Sequence, residues 1–243
     1  MRVKLANQVF ALNTLWVILT LTAFAILINL SWWQLSRAGE KTEQLARLAE
    51  LQADGAIAPA DLTLLAAADV DGVPLKGQAI WLAPYVWLLD NQIVNGRVGY
   101  DVIVPVQAAG IDRPMLVNLG WLAGADSRET LPQFDMATEF TLDGLLRTKV
   151  DGLMLLGQNA EDHGQWPMRI QQIDYAALAQ QSGHDLYPAL LYQQQASDFI
   201  PHYQPVVLSP EKHRGYALQW FLLAVAVVGV ALAASHQGKA KHE

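Results

Sequence analysis

VFALNTLWVILTLTAFAILINLSWWQ, residues 9–34, carries no charged side chain, and its reading decides the fold. A helix rises about 1.5 Å per residue, so roughly 20 apolar residues cross a bilayer, and this stretch is long enough. Arg2 and Lys4 before it would suit a cleaved signal peptide. The apolar run, however, outlasts the roughly 7–15 residues of a signal core and ends in Trp32 and Trp33 instead of a small-residue cleavage site. The expectation is an uncleaved transmembrane helix over 9–34. A second charge-free window, 216–237, answers it near the other end of the chain and places another transmembrane helix over 213–234.

Working outward from the two windows, residues 37–214 hold 12 Lys/Arg and 22 Asp/Glu, a balance near −10, whereas the remaining ends sum to near +3. An acidic soluble part argues against nucleic acid or anionic lipid as its main partner, and membrane lipid is the contact of the helices. A segment that long translocates largely regardless of its charge, so only the short tails report orientation. Tails 1–8 and 235–243 are expected in the cytoplasm, with the soluble part on the periplasmic side of a bacterial inner membrane. The chain has no cysteine, which excludes disulfides, thiolate metal sites and cysteine nucleophiles.

After Trp33 the apolar residues Leu35, Ala38, Leu45, Leu48 and Leu51 keep a helical spacing with charges between them. They predict a helical extension over 35–54 that stops at Asp54-Gly55. Pro59 to Asp69 suggests one short helix. From Gln78 the pattern turns to strands: QAIWLAPYVWLLDN, a turn at Asn95-Gly96, then VGYDVIVPVQ with Val98, Tyr100, Val102, Val104 and Val106 on one face. Pro105 marks an edge strand or a bulge. PMLVNLGWLAG, ATEFTLDGLLR and LYPALLYQQQ give further strands, and a helix begins at Asp174 as its cap and stops at Gly183. The fold class is an α+β membrane protein, two transmembrane helices flanking a β-rich, barrel- or sandwich-like extramembrane domain over 55–212.

The chemistry-bearing candidates gather at the helix ends. His213 stands three, four and seven residues before Tyr216, Ala217 and Trp220, so a continuous helix brings the four toward one face. That face offers an imidazole, a small residue that admits a flat ligand, and two aromatic walls. The same residues also fit an interfacial aromatic belt with Lys212 and Arg214 as snorkelling anchors. Asn29, Ser31 and Gln34 are polar at membrane depth and need partners across the helix pair, where Ala226, Gly229 and Ala233 offer close approach. Glu161, Asp162 and His163 are consecutive, which suits a loop better than a metal site. His184 and His202 stand alone. No phosphate loop, HExxH, GxSxG or EF-hand pattern occurs, so no enzyme is expected.

WWQLSRAGEKTEQL (32–45), LLDNQIVNGRVGYDVIVPV (88–106), LVNLGW (116–121), LDGLLR (142–147) and HRGYALQWFLLA (213–224) occur in the order of the surfeit locus protein 1 family, which the chain resembles. The resemblance implies an assembly factor for the haem–copper terminal oxidase, cytochrome c oxidase, working with subunit I and other assembly factors and associated with haem a. The family's histidine motif falls on His213, Tyr216, Ala217 and Trp220, and its other membrane-edge motif on Trp33, Gln34 and Arg37. Under this resemblance His213 is an axial ligand of haem iron, Tyr216 and Trp220 cover a porphyrin face, and Arg37 meets a propionate. A purely structural chaperone that never touches haem is the alternative. The family usually has Arg where Leu119 stands and Gly where Ser31 stands.

Overall fold

The computed structural model describes residues 2–5, 8–11, 13–66, 69–125, 130–148, 164–195 and 197–239; Glu161, Asp162 and His163 lie outside the described residues. In chain order the elements are β1 (Arg2–Leu5), β2 (Gln8–Ala11), α1 (Thr14–Ala53), a 3-10 helix (Pro59–Leu64), β3 (Pro74–Trp81), β4 (Trp87–Val94), β5 (Arg97–Ala108), β6 (Met115–Ala123), β7 (Glu139–Arg147), β8 (Met168–Ile170), α2 (Tyr175–Ser182), β9 (Tyr187–Gln193), α3 (Pro210–Ser235) and β10 (His236–Lys239). They fall into two units, residues 1–47 with 205–243, and residues 48–204.

In the first unit, α1 and α3 are both long and apolar enough to cross a membrane. Helix α1 starts at Thr14, not at Val9, because the Asn13 side chain accepts the Leu15 amide at 2.9 Å and so caps the first turn. Helix α3 starts at Pro210, behind the Ser209 cap, with proline at the position where a missing N–H costs nothing. The two run antiparallel, as the pairings Ser31 with Ala217, Gln34 with His213 and Gln44 with Pro205 require. Among the covered positions, 17, 20, 24, 27, 31, 34, 38 and 41 in α1 and 210, 213, 217, 220, 224, 227 and 231 in α3 follow one another at alternating spacings of three and four. That alternation of three and four is the heptad seam of a left-handed coiled coil. The segments flanking the start of α1 and the end of α3 meet as well, since β2 pairs with both β1 and β10.

The seam corrects the choice of small residues. Gly229 has nothing near it, whereas Ala217 and Ala224 are 2 % and 0 % exposed. A 3.5-residue repeat carried back from His213 selects 217 and 224, not 226, 229 and 233.

The second unit is a closed barrel, which settles the choice against an open sandwich. Strand β3 pairs with β7 on one side and β5 on the other, so β3, β7, β9, β6 and β5 form a ring; β4 lies against the first part of β5, and β8 runs parallel to β4. Pro105 sits where β5 changes partner, after its last pair with β4 at Ile103 and before its first with β3 at Val106. A residue without an N–H is tolerated at that junction.

Alternation along the strands sorts the side chains. Val102, Val104, Val106, Val117, Leu142 and Leu191 fill the interior, while Ile103, Leu116 and Leu190 face outward beneath α2, where Trp87 and Leu178 join them. Val98, expected on the interior face, is 54 % exposed, because the hairpin tip runs on beyond the packed part of the strand. Helix α2 is bounded as its sequence dictates: Asp174 accepts the amides of Ala176 and Ala177, and Gly183 takes the left-handed conformation at φ 70°.

Candidate functional site

The helix-pair site grows from the seam. Ser31 is buried, and its hydroxyl donates to the Ala217 carbonyl at 2.9 Å. One turn toward the soluble end, His213 Nδ1 lies 2.6 Å from Gln34 Oε1, with the histidine only 7 % exposed. An amide oxygen can only accept, so Nδ1 carries the hydrogen and donates it. Nε2 makes no hydrogen bond to the described residues and is not sealed from the surface. Two of the three intramembrane polar residues thus find partners across the pair. Asn29 turns outward instead and donates to the Ala25 carbonyl of its own helix at 2.8 Å.

The remaining sequence candidates divide between seam and flank. Ala217 and the half-buried Trp220 follow His213 along the seam. Tyr216 stands one position ahead of Ala217, so a rotation of about 100° per residue swings it out, and it is 45 % exposed. In an antiparallel pair, residues that follow the seam meet on one side, as Arg214 and Thr42 do at 3.4 Å. Residues that precede it meet on the other side, which gathers Tyr216, Arg37 and Trp33 on one flank. There the Arg37 guanidinium lies 5.6 Å from the Trp33 ring centroid and donates to Glu40 at 2.6 Å. With both Arg37 and Glu40 about half exposed, that ion pair contributes at most about 1 kcal/mol and leaves the arginine free to exchange partners.

A second polar cluster lies in the barrel unit and was not anticipated. The Asp101 side chain, 5 % exposed, accepts from Asn118 at 2.7 Å and faces His202 Nε2 at 2.6 Å. Tyr203 stacks on Tyr192 with centroids 3.8 Å apart and meets Arg147, which also donates to Asp71 at 2.9 Å. The available signal was a carboxylate inside GYDVIVPV, out of phase with the interior valines. Burial pushes the Asp71 carboxyl up, but the Thr148 amide, the Arg147 hydrogen bond and the guanidinium charge outweigh it and hold the group below its usual range. Burial likewise pushes the Tyr192 phenol well above its ordinary range, with Tyr203 and Asp101 adding to the effect. Leu119 is 4 % exposed in the barrel interior.

The pair His202–Asp101 ties the segment leaving the barrel to β5. The hydrogen bond to Asp101 raises the His202 pKa, burial opposes the rise, and the carboxylate charge adds to it. A raised folded-state value means the pair stabilises fully below the unfolded value of about 6.5, and this stability is lost as pH climbs through the folded value. His202→Ala is expected to cost about 1–3 kcal/mol at pH 6, because Asp101 stays buried with Asn118 alone. Denaturant unfolding at pH 6 and pH 9 checks this: the wild-type barrel loses stability between the two, and the variant loses less.

Among curated proteins none matches the chain. Residues 21–225 match the SURF1 family, a span that begins inside α1, takes in the whole barrel and ends inside α3. With both membrane-length helices, the barrel between them and the His213 and Gln34 motifs inside that span, the chain belongs to the SURF1 family.

Proposed function

We propose that the helix pair holds haem a through His213 and passes it toward subunit I of the haem–copper oxidase. The coarser role comes with family membership: the chain is an assembly factor for that oxidase, not an enzyme. The observation that carries the finer reading is His213 itself, buried in the seam with Nδ1 engaged and Nε2 without a hydrogen bond to the described residues.

The residues present fit such a group. No three His, Asp or Glu among the described residues converge as a bare metal ion would need. Haem carries most of its iron's ligands within the ring, so His213 would be the donor this chain supplies. Trp220 is half-buried along the seam, and Trp33 and Tyr216 offer exposed ring faces on the flank of the helix pair. Arg37 is positioned to trade its exposed bond with Glu40 for a propionate. A single protein ligand on a two-helix support suits release to a client better than permanent retention. His213 stands at the soluble end of α3, which we place at the periplasmic face of a bacterial inner membrane, with both tails in the cytoplasm.

Haem loading tests the reading. Co-expressed with a haem a pathway and purified, the wild-type protein is expected to show a haem absorption spectrum and His213→Ala to lose most of it. Unchanged loading in the variant removes the ligand role, and a haem-free wild type leaves the scaffold role.

A further inference from the structure

We infer that Gln34 is a positioning residue: it fixes His213 in the Nδ1–H tautomer and so reserves Nε2, the nitrogen without a hydrogen bond to the described residues, as the donor atom. In its second half the inference rests on the haem reading above; in its first half it does not.

Geometry and chemistry lead there together. The Gln34 oxygen lies 2.6 Å from Nδ1, a short contact for a neutral pair and one that requires the hydrogen on Nδ1. Histidine in water prefers the opposite tautomer, with the hydrogen on Nε2. Left alone, the ring would carry its N–H on Nε2 and offer no lone pair there. Burying Nδ1 against an acceptor reverses the preference, because an unpaired donor in a membrane-depth seam is costly. The Ser31 bond to the Ala217 carbonyl, one turn deeper on both helices, holds the helix spacing that keeps Gln34 within reach. The two rungs act as one fitting, the first setting the distance and the second the proton.

A hydrogen bond from the distal N–H of a ligating imidazole orients the ring and raises its basicity, and loss of such a partner typically costs about 10- to 100-fold in affinity. Gln34→Leu keeps a side chain of similar bulk, one atom shorter, and deletes the acceptor. Gln34→Glu strengthens the acceptor.

The experiment has two arms. In the first, haem-free protein with nitrogen-15-labelled histidine is read by NMR in micelles, with His213→Ala identifying the signal. The expected result is an Nδ1–H tautomer in the wild type that Gln34→Leu converts to Nε2–H; an Nε2–H signal in the wild type overturns the inference whether or not haem ever binds. In the second arm, the iron–histidine stretching frequency and the midpoint potential of loaded protein are compared. The frequency is expected to fall in Gln34→Leu and rise in Gln34→Glu, with the potential moving the opposite way. Identical values in all three, while His213→Ala still abolishes loading, sink the role of Gln34 and leave the haem reading standing. Loading that survives His213→Ala sinks the haem reading and leaves the tautomer result to stand on the first arm.

Discussion

Gly144→Ala is expected to leave no stably folded barrel. Gly144 lies in β7 between two neighbours, paired with Leu75 of β3 and with Gln193 of β9. A Cβ built there falls 2.2 Å from the Tyr192 carbonyl oxygen and 2.8 Å from its carbon. Both are backbone atoms of a paired strand, so no side chain can swing aside, and β7 must part from β9. That joint is one of those that close the ring. Opening it exposes Leu142, Leu146 and Leu191, all 0 % exposed in the folded protein, each contributing about 1.5–3 kcal/mol by its burial. A loss above about 4 kcal/mol takes most of the stability of a typical domain. Tryptophan fluorescence during urea unfolding measures it, with Gly215→Ala as the comparison. Gly215 lies on α3 with open space around it, so alanine there is expected to be neutral or stabilising by up to about 1 kcal/mol. A normal unfolding curve for Gly144→Ala would show that the strands part without the ring opening.

Ala217→Leu is expected to separate the helices and empty the site while leaving His213 in place. Ala217 is 2 % exposed, and its carbonyl receives the Ser31 hydroxyl. Overpacking costs about 1–3 kcal/mol, whereas an interhelical hydrogen bond in a membrane contributes only about 0.6–2 kcal/mol. The cost of the added bulk is comparable to or larger than the contribution of either polar rung, and both rungs loosen together because they lie one turn apart. The chain has no cysteine, so introduced pairs report spacing without background. The seam register sets Phe24 opposite Ala224, and Phe24→Cys with Ala224→Cys is expected to crosslink under mild oxidation. Adding Ala217→Leu should cut the crosslink several-fold and abolish haem loading, whereas Ala217→Ser should change neither.

Local chemistry was enough for the helices and most barrel strands, although it ran β3 and β4 together in one stretch and left β8 unread. Charge-free windows announced α1 and α3, Asp174 and Gly183 bounded α2, and the alternation of Val102, Val104 and Val106 named an interior face before any partner strand was known. Such signals act within a few residues, through hydrogen bonds and side-chain directions that the backbone period itself fixes. The ends of α1 followed the same logic once Asn13, rather than hydrophobicity, was taken as its start.

Partners over long separations were another matter. Hydrophobic periodicity could not say that β3 returns to β5 and closes a barrel, nor that Pro105 marks the exchange of one neighbour for another. It offered Gly229 where packing uses Ala224, and it grouped Tyr216 with Ala217 although one turns to the flank and the other to the seam. His202 looked solitary until the fold set it on a carboxylate 101 residues earlier in the chain. The amino-acid sequence by itself determined two membrane rods, a strand-built domain and a histidine at a helix entrance. Only the tertiary structure decided that this histidine meets Gln34, because side-chain period sets which face a residue occupies, while the register between distant faces is chosen by how they pack.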